Sequence, residues 1–179
     1  MAEPNIVLTG FMATGKSTVG KLLAEHLGYD FVDTDELIVE RAGMAVTDIF
    51  QKKGEDFFRK MESVLANELA QKEGLVISTG GGMMLDPANA FALSQTGQIF
   101  CLVATPEEIF NRVSRDGKAK RPLLESPDPM TQLTQLLEQR EKGYQKFFQI
   151  KTSAKTPDEV TSNLIGIIRS TLKDITQEL

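Results

Sequence analysis

One cysteine and one histidine are all that the 179 residues contain. Cys101 alone can form no internal disulfide, and a single thiol excludes a multi-cysteine zinc site. His26 alone leaves too few soft ligands for a typical zinc centre. A basic surplus is also missing. Lys and Arg number 20 against 25 Asp and Glu, a net charge of −5, which excludes a sequence-independent nucleic-acid binder. Long apolar runs are absent too: the longest, Ile99 to Ala104, falls far short of a membrane span. Met1-Ala2-Glu3-Pro4 has no cationic flank, so no secretory leader is expected, and a cytoplasmic protein is. No repeat, heptad or exposed apolar stripe asks for a partner, so a monomer is expected. What is present, 41% apolar and 25% charged residues, is the balance of an ordinary globular chain, of a length that suits a single domain over residues 1–179.

Four short apolar runs read as strands, Ile6-Val7-Leu8, Phe31-Val32, Leu75-Val76-Ile77 and Ile99 to Val103, and Gln149 to Thr152 is expected as a final strand. Helical spacing separates them. Val19, Leu22, Leu23 and Leu27 recur on one face before Gly28, and Phe58, Met61, Leu65 and Leu69 recur within a stretch from Glu55 to Glu73. Further helices are expected over Glu36 to Ala42, from a cap at Thr47 or Asp48 to Lys53, after Asp86-Pro87, after Thr105-Pro106, over Met130 to Phe148, and over Pro157 to Leu172. Asp116 to Pro129 reads as a surface loop. Strands alternating with helices predict an α/β fold, a parallel sheet flanked by helices in three layers.

Gly10-Phe11-Met12-Ala13-Thr14-Gly15-Lys16-Ser17 fits G-x-x-x-x-G-K-[ST] between a predicted strand and a predicted helix. In that setting glycines let the backbone bend, successive N–H groups point at phosphates, and the helix adds its positive end. Lys16 offers a point charge to the β- and γ-phosphates, and the Ser17 hydroxyl can ligand Mg²⁺. The loop alone does not choose among nucleotide enzymes. A switch GTPase needs N-K-x-D and D-x-x-G, and neither occurs; Thr152-Ser153-Ala154-Lys155 resembles only the minor S-A-K element.

Three other features narrow the choice. Asp33-Thr34-Asp35 ends the second strand, with one carboxylate able to face a metal and the other a pocket; a helix cap is the alternative. Arg59 and Glu62 stand three apart on one helix, so the glutamate can orient the guanidinium. Gly80-Gly81-Gly82 follows the third strand, at the sheet end where ligands bind in open parallel sheets.

With Arg121-Pro122-Leu123-Leu124, and Arg140 with Tyr144, these elements resemble the shikimate kinase family in order and spacing, from the phosphate loop to Arg140. The resemblance implies transfer of the ATP γ-phosphate to the 3-hydroxyl of shikimate, in aromatic amino-acid biosynthesis. It implies ATP held by Gly10 through Thr18, Mg²⁺ at Ser17 and Asp33, and shikimate at Asp35, Arg59, Gly80, Gly81, Gly82 and Arg140. It implies a substrate-binding segment at about 33–62 and a lid at about 112–124, with Arg121 closing over the transferring phosphate. Lys16, Asp35 and Arg121 are the expected catalytic groups. Arg115 and Ala154-Lys155-Thr156-Pro157 are expected to flank the adenine. The chain departs from the family at Ala13, where many members carry another glycine. A gluconate kinase is the rival enzyme, and a non-catalytic ATP-binding module the rival from another class.

Overall fold

The computed structural model describes residues 3–116 and 127–177. Five strands form one sheet: β1 (Asn5–Thr9), β2 (Asp30–Asp33), β3 (Leu75–Ser78), β4 (Gly97–Val103) and β5 (Phe148–Lys151). All neighbours run parallel, in the order β2-β3-β1-β4-β5, so the phosphate loop leaves the central strand. Parallel neighbours need crossovers, and the helices supply them. They are α1 (Lys16–Leu27), α2 (Thr34–Ala42), α3 (Val46–Lys53), α4 (Glu55–Leu69), α5 (Pro87–Ser94), α6 (Pro106–Asp116), α7 (Pro129–Tyr144) and α8 (Pro157–Gln177).

The three layers follow from the two-residue period of the strands. Ile6, Leu8, Val76, Phe100 and Leu102 face α1 and α8, where Val19, Leu23, Leu164 and Ile168 meet them. Val7 and Ile77 face the other way, onto Ile38, Ile49, Phe58, Leu65 and Leu69 of α2, α3 and α4. Cys101 faces that way too, among Phe11, Ile109, Val113, Leu133 and Tyr144. Each fully buried Leu or Ile contributes about 1.5–3 kcal/mol. Burial pushes the Cys101 thiol up to about 11, so it is an inert core residue. His26 is exposed, with Nδ1 on Leu22 O at 2.8 Å.

Several ends differ from the sequence expectation. Helix α3 starts at Val46 with extended Ala45 as its uncapped flank, not at a Thr47 or Asp48 cap; Ile49 N already donates to Ala45 O at 3.0 Å. Helix α4 stops at Leu69 rather than Glu73. Its last N–H groups tighten to three-residue spacing at Gln71 and Lys72, and left-handed Gly74 turns the chain into β3. Helix α7 stops at Tyr144 rather than Phe148, because Gln149 Nε2 donates to the carbonyls of Tyr144 (2.7 Å) and Phe147 (3.1 Å). Helix α2 begins at Thr34, earlier than expected, for a reason that belongs to the site.

Candidate functional site

The C-terminal ends of β1, β2 and β3 deliver the loop at Gly10, the Asp33–Asp35 turn and the three glycines to one edge of the sheet. Gly10 has φ 129, and a Cβ there would overlap the Leu102 carbonyl, so the loop can leave β1 in this direction only with glycine. Thr14 Oγ1 ties the loop to itself by donating to Phe11 O at 2.8 Å. Gly15, at φ 98, turns the chain into α1. Lys16 Nζ lies over the loop, donating to Gly10 O (2.9 Å) and Phe11 O (2.8 Å). Met12 is half-buried, and Thr18 is exposed one turn into α1.

Ala13 occupies φ 56, a left-handed position. A side chain there costs about 1–2 kcal/mol that glycine would not. The Ala13→Gly variant is therefore expected to gain about 0.5–1 kcal/mol in urea unfolding, the relief being partly offset by the freer unfolded chain. A loss of stability on that substitution would contradict the strain.

Asp33 does two jobs with its two oxygens. Oδ1 caps α2 by accepting from Asp35 N (3.0 Å) and Glu36 N (3.4 Å), which is why that helix starts at Thr34. Oδ2 accepts from Ser17 Oγ at 2.7 Å, and Ser17 Oγ lies 3.3 Å from Ser78 Oγ. The cap and the metal reading are thus compatible in one residue. These are hard oxygen donors, the chemistry Mg²⁺ takes. No group of three His, Cys, Asp or Glu gathers among the described residues, so a cation here would complete its shell from phosphate and water.

Asp35 stands against Gly80. Its Oδ1 is buried without a hydrogen-bond partner, and a Cβ at Gly80 would overlap it. Burial first, then the Asp33 carboxylate, push its carboxyl above the ordinary value, against Lys16 and Arg59. Arg59 stands against Gly82, whose Cβ would lie 2.5 Å from Nη1. Glu62 Oε2 accepts from Arg59 Nη1 at 2.7 Å, and Glu55 Oε1 accepts from Nε (3.1 Å) and Nη2 (2.8 Å). Glu62 is 1% exposed, and burial raises its pKa despite the arginine. Arg140 completes the group. Its guanidinium carbon sits 5.6 Å from the Phe11 ring centroid, and a Cβ at Gly81 would come 3.4 Å from its Nη1. Tyr144 Oη donates to Gly81 O at 2.6 Å. Gly80 therefore admits the Asp35 and Glu62 carboxylates, and Gly82 the Arg59 guanidinium, to close approach, while Arg140 stands at ordinary contact distance from Gly81. Phe58 is core, and Phe50, partly exposed, lies 5.0 Å from it between centroids.

A second cleft, of about 220 Å³, opens behind the loop. Thr14, Gly15, Thr18 and Val19 form one part of its lining, and Thr152, Lys155, Pro157 and Val160 another. Arg112 lines it too, donating to Ala13 O (3.2 Å) and to Thr152 O (3.0 Å) and Oγ1 (3.2 Å). Arg115, expected to flank the base, is exposed on the last turn of α6. The start of the expected lid, Arg112, is pinned helix; residues 117–124, Arg121 included, lie outside the described residues. Sequence reasoning missed the role of Arg112. The signal was available as Glu108, four residues earlier on the same helix face.

The sequence matches the family model for shikimate kinase over residues 12–169. The shikimate kinase of Thermoanaerobacter pseudethanolicus is 45% identical over 163 residues, 90% of this chain and 94% of that one. Among solved structures, a shikimate kinase from Acinetobacter baumannii in complex with shikimate superposes with a TM-score of 0.86 at 36% identity, covering 94% of each chain. A gluconokinase from Sinorhizobium meliloti reaches 0.63 at 19% identity over 98% of each chain, which is a likeness of fold alone. Sequence and fold converge, and the chain belongs to the shikimate kinase family.

Proposed function

We infer that this chain transfers the γ-phosphate of ATP to the 3-hydroxyl of shikimate, giving shikimate 3-phosphate and ADP. The observation that carries the reading is the pairing of three glycines with Asp35, Arg140 and Arg59 beside the phosphate loop. Shikimate has one carboxylate and three hydroxyls. Two guanidinium groups suit the carboxylate, and a buried, partnerless carboxylate oxygen suits a hydroxyl.

ATP lies along Gly10 to Thr18, with its base in the cleft between the loop, Arg112, Lys155 and Pro157. Lys16 meets the β- and γ-phosphates. Ser17 and Asp33 hold Mg²⁺, which supplies charge neutralisation to the phosphates when bound. Asp35 accepts the hydrogen bond of the attacking hydroxyl and, with its raised pKa, is suited to take its proton. Arg59 and Arg140 fix the ring so that one hydroxyl faces the phosphate; Arg121 supplies charge to the transferring group. Catalysis is mainly positioning and charge neutralisation. The chain works as a monomer in the cytoplasm. No helix among the described residues is long and apolar enough to cross a membrane.

Mixing the protein with ATP, Mg²⁺ and shikimate, with gluconate as control acceptor, is the direct test. ADP release that needs shikimate and ignores gluconate is expected. Release on gluconate alone would reverse the assignment. The Arg59→Lys variant is expected to raise the shikimate KM at least about tenfold and leave the ATP KM nearly unchanged, since lysine keeps the charge but loses the fork. Equal losses for both substrates would contradict the role of Arg59.

A further inference from the structure

Helix α6 opens with Thr105-Pro106-Glu107-Glu108, the pattern of a capping box, with a threonine cap and a glutamate three residues on. Only half of the box forms. Thr105 Oγ1 accepts from Glu108 N at 3.3 Å, but Thr105 N donates to Ser153 Oγ at 2.9 Å instead of to the glutamate. Ser153 has taken over the cap, and the Glu108 carboxylate reaches elsewhere. Its Oε1 accepts from Arg112 Nη2, and its Oε2 accepts from Ala154 N at 3.2 Å.

The two ends of this ion pair grip two unusual residues. Ala13 (φ 56) and Ala154 (φ 55) are the non-glycine residues with positive φ among the described residues. Arg112 holds the carbonyl of the first and Glu108 the N–H of the second. Ala13 belongs to the phosphate loop. Ala154 precedes Lys155 in the loop that lines the other part of the cleft. A left-handed alanine persists only where its surroundings over-determine it, and here one ion pair contributes to both. Glu108 itself is not part of the cleft lining.

We propose that Glu108 is a positioning residue for nucleotide binding: its carboxylate sets the Arg112 guanidinium and the Ala154 turn, keeping the phosphate loop and the base loop in register. This rests on the reading of the cleft as the ATP site. A residue that only finished the helix would return to Thr105 N and would not discriminate between ligands.

Calorimetric titration of the full chain with ADP, and separately with shikimate, tests this. The Glu108→Gln variant keeps an acceptor for Ala154 but loses the charge facing Arg112. Its ADP Kd is expected to rise about tenfold, with the shikimate Kd unchanged. In an Arg112→Ala background the same substitution is expected to change the ADP Kd by less than about twofold, because its partner is already gone. Unchanged ADP binding in Glu108→Gln, or full additivity with Arg112→Ala, would overturn the proposal. Should Glu108→Gln not fold, Glu108→Asp, which keeps the charge but withdraws it by one methylene, takes the same titrations with the same criteria. A parent protein that bound no ADP would defeat the ATP reading instead, which is a separate outcome.

Discussion

Replacing Lys16 by alanine is expected to lower turnover by roughly 10²–10³-fold with ATP saturating, in a protein that still folds. Lys16 is the first residue of α1 and belongs to none of the apolar clusters. Its ammonium lies over the loop, on the carbonyls of Gly10 and Phe11. The loop N–H groups and the positive end of α1 survive the substitution, so ATP retains much of its hold. What disappears is a charge at the place where negative charge shifts during transfer. A coupled ADP assay gives turnover, and circular dichroism verifies the fold. Near-normal turnover at saturating ATP would refute the role of Lys16.

The second large effect joins activity to stability. The Asp35→Asn variant is expected to lose roughly 10²–10⁴-fold in turnover and to unfold at higher urea, gaining about 1–2 kcal/mol at neutral pH. Asp35 buries a carboxylate oxygen with no hydrogen-bond partner, beside a second carboxylate. The folded chain thus holds its proton more tightly than the unfolded chain does. The associated stability is fully present below the unfolded pKa, near the ordinary value of 3.8, and is lost as pH rises through the raised folded value. The advantage of Asp35→Asn should therefore be greatest at neutral pH and shrink in acid. Stability curves at several pH values measure it; an advantage that grew in acid would show the sign to be wrong.

The elements of the fold were legible because β1, β3 and β4 carry short apolar runs and each crossover a helical pattern; β5, with only Ile150 buried, carries the weakest signal. Their ends were less so. Nothing local to α7 announces that Gln149, beyond the helix, will take the carbonyls of Tyr144 and Phe147. The phosphate loop and the carboxylates of Asp33 and Asp35 were visible as spacing. The division of labour in Asp33 was not, because a cap and a contact to Ser17 look like alternatives until its two oxygens are seen to point apart. The lid that the resemblance implies at about 112–124 takes in Arg112. Its side chain is committed to Ala13 and Thr152, far apart in sequence, and no window along the chain brings those residues together.

The position of β1 at the middle of the sheet has a consequence for how the molecule is made. Strand β1 precedes both of its neighbours along the chain: Ile6 must wait for Val76, and Asn5 for Gly97. Closing those long stretches precedes any reward from pairing, so the central ladder is a slow, non-local step. Gly10 follows directly, fitted against the Leu102 carbonyl of β4. The loop acquires its shape only after Leu102 of β4 is in place. Nucleotide affinity is accordingly a late reporter of assembly, and ATP in the cell can select finished chains by holding the centre of the sheet closed.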